Sequence, residues 1–260
     1  MSSKSSFMSI SAWVLMGLSL AQTSTVMAQA HSSAQFRQYK ALNPTIERAL
    51  QAVRNGRFEE AKTMLKPCID KVPDHFEAHY LLALMDYEVR DFASVLAHLD
   101  IAERALSALD RDYRGLEAEM KARTESEQRE ADDNLRTALS RTTDPTGFAA
   151  TKIAGLQRDA KVAEAQNKPV QDLESPYGVP ADYWYLRGNA LLRLGRREEA
   201  RSVYRKAVGV DASHANAWNN LIALSLGAKD MTNARADLAK AEAAGVSIRP
   251  ELKRAVREVQ

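Results

Sequence analysis

Apolar residues return at a fixed interval of 34 positions in the C-terminal part of the chain. Trp184 and Trp218 stand 34 apart, as do Ala200 and Ala234, Tyr204 and Leu238, and Ala207 and Ala241. Residues 181–248 are therefore two consecutive blocks in one register. They open Ala181-Asp182-Tyr183-Trp184 and Ala215-Asn216-Ala217-Trp218. The same register extends back to 42–75, with Ala49, Ala61, Leu65, Cys68 and Pro73 at block positions 8, 20, 24, 27 and 32. It also covers 76–109, with Ala83, Val95, Leu99 and Ala102 at positions 8, 20, 24 and 27. A period in this range marks a unit that cannot bury its apolar face alone and must stack on copies of itself. Small residues at 8, 20 and 27 let neighbouring helices approach closely, and large ones at 4, 7 and 24 fill the space between them. The pattern predicts an all-α solenoid.

Between the block pairs the period fails. Leu106, Leu109, Tyr113, Leu116 and Met120 follow 3-4-3-4 spacing, which continues one helical face out of the second block. Residues 121–133 (KARTESEQREADD) are almost wholly polar, and apolar positions resume at Leu135, Ala138 and Leu139. This predicts one long helix, or two, with an exposed centre. Asp144-Pro145-Thr146-Gly147 is a break, residues 148–166 suggest another helix, and 167–180 carry three prolines and read as a linker. At the other end, residues 29–41 are expected to be a flexible arm, with Asn43-Pro44 as a cap and first-turn proline. Residues 249–260 read as a capping helix that covers the last block.

The blocks resemble the tetratricopeptide repeat, a helix–turn–helix unit of the same period. That family favours glycine or alanine at position 8, alanine at 20 and 27, a large apolar residue at 24 and proline at 32. Block 181–214 has Trp184, Gly188, Gly195, Ala200, Tyr204 and Ala207 at 4, 8, 15, 20, 24 and 27. It departs at Arg187, where leucine is usual, and at Ala212, where proline is usual. Block 215–248 departs at Ile222 and Lys229, where glycine is usual. The resemblance covers 42–109 and 181–248. It implies a protein-binding groove lined by first-helix positions 2, 5, 6, 9, 12 and 13. In the C-terminal pair these include Tyr185, Asn189, Arg193, Asn216, Asn219 and Asn220, with Arg254 following in the cap. Asn189, Asn220 and Arg254 match three positions of a clamp for peptide C-termini, whereas Tyr185 and Pro250 stand where that clamp has lysines. In the N-terminal pair the inward positions include Glu77, Tyr80, Leu84, Tyr87 and Glu88. Either an apolar peptide with basic rims fits there, or the middle helix at 106–120 packs against it.

Composition narrows the function. The formal net charge is +2, and with charged residues at 27% there is no basic excess to hold a phosphate backbone. Nucleic acid is not an expected partner. Lys4 precedes an apolar run at 7–21 and small-x-small sites at Val26-Met27-Ala28 and Ala28-Gln29-Ala30, the order of a cleavable signal peptide. Fifteen residues is short for a membrane span. A periplasmic or secreted protein without stable membrane insertion is expected. Cys68 is the only cysteine, so no intramolecular disulfide forms.

No phosphate-binding loop, GxSxG or HExxH motif occurs. The nearest metal candidate is His75 with His79, four apart on a helix. The register instead places His75 in a connecting loop and His79 at packing position 4. Glu59-Glu60 and Glu198-Glu199 start second helices, where acids suit the helix dipole. No catalytic, cofactor or metal residue is assigned. The expected function is a non-enzymatic adaptor of the periplasm that binds a peptide or helix of an envelope or secretion component. The alternatives are a self-associating structural protein and a metal-dependent enzyme centred on His75 and His79.

Overall fold

The computed structural model describes residues 34–141, 151, 153–158, 161–162 and 177–258. The apolar run at 7–21, both candidate cleavage sites, the break at 144–147 and most of the linker at 167–180 lie outside the described residues. Every element among the described residues is helical. In chain order they are α1 (Ala34–Arg54), α2 (Phe58–Lys71), α3 (Phe76–Glu88), α4 (Phe92–Arg141), α5 (Ala181–Arg193), α6 (Arg197–Val210), α7 (Ala215–Gly227), α8 (Met231–Ala243) and α9 (Pro250–Glu258).

The chain forms two compact units. One contains 38–107 and 178–258; the other takes 34–37, 108–141 and the described residues from 151 to 177. The first unit holds four helical hairpins, α1–α2, α3–α4, α5–α6 and α7–α8, followed by α9. Positions 8, 20, 24 and 27 of every block are buried. Ala49, Ala61, Leu65, Ala83, Val95, Leu99, Ala200, Tyr204, Ala207, Ile222, Ala234 and Ala241 retain no measurable exposure. Ala83, Val95, Leu99 and Ala102 share one core with Tyr183, Trp184, Leu186 and Ala190. The hairpins on either side of the insertion are therefore stacked directly on each other.

That junction explains an irregular residue. Arg187 stands where a leucine is usual. Its guanidinium lies 2.5 Å from Asp100 and 3.3 Å from Glu103 on α4. The Tyr183 hydroxyl donates to the Leu99 carbonyl. Position 15 ends each first helix with positive φ: Gly56 at 72°, Arg90 at 64°, Gly195 at 77° and Lys229 at 57°. Only glycine adopts that region without steric cost, so the second and fourth hairpins are strained there.

Two expectations require correction. Residues 34–41 are not an arm, because α1 begins at Ala34 and runs through Pro44. Tyr39 anchors it: the ring is buried 4.5 Å from the His75 ring, and the hydroxyl donates to the Asp74 carbonyl at 3.0 Å. Asn43 is accordingly inside the helix and does not cap it.

The middle segment continues α4 as one helix to Arg141. Its polar stretch is largely exposed and carries Arg123–Glu127 and Arg129–Glu125 pairs at i,i+4, and an Arg114–Asp110 pair precedes it. Such pairs favour the helical form of a solvated segment. Within the second unit, Tyr113 meets Tyr177 edge-on at 6.1 Å.

Candidate functional site

The first helices of the C-terminal hairpins bring Asn189 on α5 and Asn220 on α7 together. Asn220 Nδ2 donates to Asn189 Oδ1 at 3.1 Å. The Tyr204 hydroxyl on α6 donates to the same oxygen at 2.6 Å. Burial pushes the Tyr204 phenol up, which keeps it a neutral donor. With Oδ1 fixed by two donors, the Asn189 amide cannot flip, and its N–H groups point away from Tyr204. Gly188 makes this reach possible. The Tyr204 ring lies over its bare Cα, and a Cβ there would stand 2.5 Å from the ring.

The other sequence-derived candidates distribute unevenly. Tyr185 is half-buried, its ring 4.9 Å from His214 and 6.0 Å from Tyr204, beside the asparagine pair. Arg193 and Asn216 are exposed. Arg254 is exposed and faces Glu258 on its own helix at 3.9 Å. Asn219 is not a groove residue: it is buried and its amide is used within the fold. Its Nδ2 donates to the Ala215 carbonyl at 2.8 Å, and its Oδ1 accepts from the Arg249 N–H at 2.9 Å. It joins α7 to the start of α9.

On α3, Tyr80, Leu84 and Tyr87 are half-buried against the core. Tyr80 stacks on Tyr183 at 6.4 Å, and Tyr87 meets Phe92 at 5.5 Å. Glu77 lies on the same helix. Burial, with the charge of Glu47 adding to it, pushes its carboxyl up to about 7.

The histidines have structural contacts. His75 Nδ1 accepts from the Ala78 N–H at 3.4 Å and caps α3, while its ring is fully buried. His214 repeats the arrangement, accepting from Ala217 at 3.2 Å, with Nε2 3.2 Å from Asp182. His79 Nε2 lies 2.8 Å from the Pro73 carbonyl and Nδ1 lies 2.8 Å from His98 Nδ1. The two nitrogens of His79 are thus directed at Pro73 and His98. Among the described residues no group of three histidine, cysteine or acidic side chains could hold a metal ion.

Sequence reasoning missed Tyr204, His98 and Asp86 as polar partners. Only Tyr204 left a signal, a hydroxyl at a core position where the other three blocks carry leucine.

Stacked helical hairpins with an exposed first-helix face define a helical-repeat solenoid, a class built to present surface. The tetratricopeptide repeat model matches residues 46–111 and 185–246, and the chain belongs to that family. It is also similar to the crystal structure of a thermophilic TPR protein in Thermus thermophilus. The two are 18% identical, the match covers 83% of this chain and 96% of the other, and the TM-score is 0.32. No curated protein matches the chain. Tetratricopeptide repeats generally mediate protein–protein contacts or scaffolding, and proteins built from them are typically non-enzymatic. No helix among the described residues is long and apolar enough to cross a membrane.

Proposed function

We propose that the protein is a non-enzymatic adaptor of the periplasm, reached through the signal-like segment 1–28. In this reading its first-helix face binds a peptide or helix of an envelope or secretion component. The observation that carries this is the amide pair Asn189–Asn220, held in one orientation by Tyr204 and flanked by Tyr185. A fixed amide beside an aromatic ring suits a peptide main chain, which offers one donor and one acceptor per residue. A terminal-carboxylate clamp is disfavoured, because Tyr185 and Pro250 replace the lysines that would supply charge.

The test is cross-linking in intact cells from positions 193 and 216, which are exposed beside the pair. We expect cross-links to a specific partner that are lost in an Asn189→Ala, Asn220→Ala double variant that remains fully folded by circular dichroism at the temperature of the experiment. Export is read separately, from the mass of the mature N-terminus. Cross-links indifferent to the double variant would reject this surface, and cross-links only between copies of this chain would favour self-association.

A further inference from the structure

Four groups from three elements meet inside the second hairpin. His79 on α3 lies between the Pro73 carbonyl, at 2.8 Å from Nε2, and His98 on α4, at 2.8 Å between the two Nδ1 atoms. His98 Nε2 lies 3.5 Å from Asp86 on α3. His79 is buried and His98 half-buried, and their rings lie 5.1 Å apart.

The hydrogens can be counted. A carbonyl only accepts, so His79 Nε2 carries a hydrogen. The two facing ring nitrogens are so close that they hold one hydrogen between them and cannot hold two. The contact therefore exists only while at least one of the two rings is neutral. In an opened hairpin both rings are solvated, and both become cationic below the ordinary histidine value of about 6.5.

We propose that the His79–His98 contact is an acid-sensitive latch between the two helices of the second hairpin, closed at neutral pH and released when both rings take a proton. Release acts on α3, the helix that presents Tyr80, Leu84 and Tyr87, so acidification alters that part of the first-helix face.

The surrounding charges are mixed. Asp86 and Asp91 face His98 and favour its protonation. Burial, followed by the opposing His79 ring, outweighs them and holds His98 below its ordinary value. From α2, Lys62 acts on Asp86. His75, one turn before His79, is also held down by burial. Glu77 pulls the other way, since burial raises its carboxyl and acid favours its folded form.

The experiment isolates the latch from these neighbours by using His98→Gln, whose side-chain amide does not titrate and turns to donate to a neutral His79 Nδ1 or to accept from a protonated one, so the closed variant excludes no proton. Amide hydrogen exchange is followed in the full chain at pH 7 and pH 5, and protection in α3 and residues 92–107 is divided by that in α7 and α8. One proton excluded from the closed state favours opening roughly 25-fold more at pH 5 than at pH 7. The wild type is expected to lose that much more relative protection than His98→Gln. A difference under threefold overturns the proposal. Long-range nitrogen–proton spectra of the wild type give a second readout that needs no variant. We expect hydrogen on His79 Nε2 and one shared hydrogen on the facing Nδ1 pair at pH 7.5. Two cationic rings at pH 5 with protection unchanged also overturn it.

Discussion

Gly188→Ala adds one carbon where the structure has no room for it. The new Cβ would stand 2.5, 2.7 and 2.9 Å from Cε1, Cδ1 and Cζ of Tyr204, inside the distance that real Cβ atoms keep. The ring has no exposed surface, and its hydroxyl is tied to Asn189, so it cannot withdraw without losing that bond. Overpacking costs about 1–3 kcal/mol, and the lost hydrogen bond about 1 kcal/mol. Alanine's helix propensity returns about 1 kcal/mol. The net loss is about 2 kcal/mol, or a fall of roughly 4–8 °C in melting temperature for a unit of this size. The decisive arm is Gly188→Ala combined with Tyr204→Leu. That pair recreates Ala49–Leu65 and Ala83–Leu99, the residues at the same positions of the first two blocks, all fully buried. Tyr204→Leu alone leaves a void above Gly188 and costs about 2–3 kcal/mol. The double variant should lose about 2 kcal/mol less than the sum of the singles, since each change fills the space the other disturbs. Gly209→Ala on α6 is the control, because nothing lies within 4 Å of its Cβ position. Urea titration monitored by circular dichroism measures all four. Additivity to about 0.5 kcal/mol, the scatter expected of independent sites, would refute the reasoning.

Other outcomes follow from single contacts. Arg90→Gly and Lys229→Gly should each raise stability by about 0.5–1 kcal/mol in thermal melts, because both residues hold a positive φ that glycine adopts freely. His75 is held at about 4, first by burial, against an ordinary value of 6.5. The stability this provides is present above 6.5 and is lost as pH falls toward 4, about 3 kcal/mol in all. His75→Asn keeps a cap acceptor without titrating and should flatten the wild-type loss in melts between pH 7 and 4; an unchanged acid limb counts against it. Asn219→Ala should cost about 1–2 kcal/mol by freeing the Arg249 N–H. Asn216→Ala, at an exposed site, should change stability by no more than about 0.5 kcal/mol.

The periodic core was legible because stacking repeats the same steric demand once per block. Ala200 and Ala234 are small for one reason, the close approach of neighbouring helices, and that reason leaves the same trace twice. Contacts made once leave no period. His98 falls at an unremarkable position, and only the folded hairpin brings it to His79, 19 residues away. Arg187 was visible as a departure from the pattern, but its partners Asp100 and Glu103 lie far earlier in the chain, across the insertion. The start of α1 was misread for a related reason. The polarity of 31–41 and the Asn43-Pro44 pair dominate locally, while Tyr39 is fixed by a tertiary contact with His75. Within the candidate site, Asn189 and Asn220 followed from the register together with the groove positions that the family resemblance implies. That Asn219 serves the cap instead depends on where the Arg249 N–H arrives.

The insertion can be removed without breaking the register, and this is a test of how it is built in. The first compact unit stops at Ser107 and resumes at Gly178. If Ser107 is position 32 of the second block, then Val179 and Pro180 supply positions 33 and 34, and Ala181 begins the third block. Deleting 108–178 therefore gives four uninterrupted blocks. As it stands, α4 runs helically through the joint, so the shortened chain also needs a stop there. Ser107→Pro supplies it at the position where the first block has Pro73, by removing an N–H and forcing Leu106 away from helical geometry. The contacts across the joint, Tyr183 to Leu99 and Arg187 to Asp100 and Glu103, all lie outside the deleted segment. The shortened chain should unfold in a single transition. Within it, Arg187→Leu should cost about 1–2 kcal/mol, the value for a half-buried charge-assisted pair. The same substitution in the full chain should cost the same to about 0.5 kcal/mol. A larger discrepancy would mean that the insertion shapes the junction it interrupts, and the repeats could no longer be treated as a self-sufficient stack.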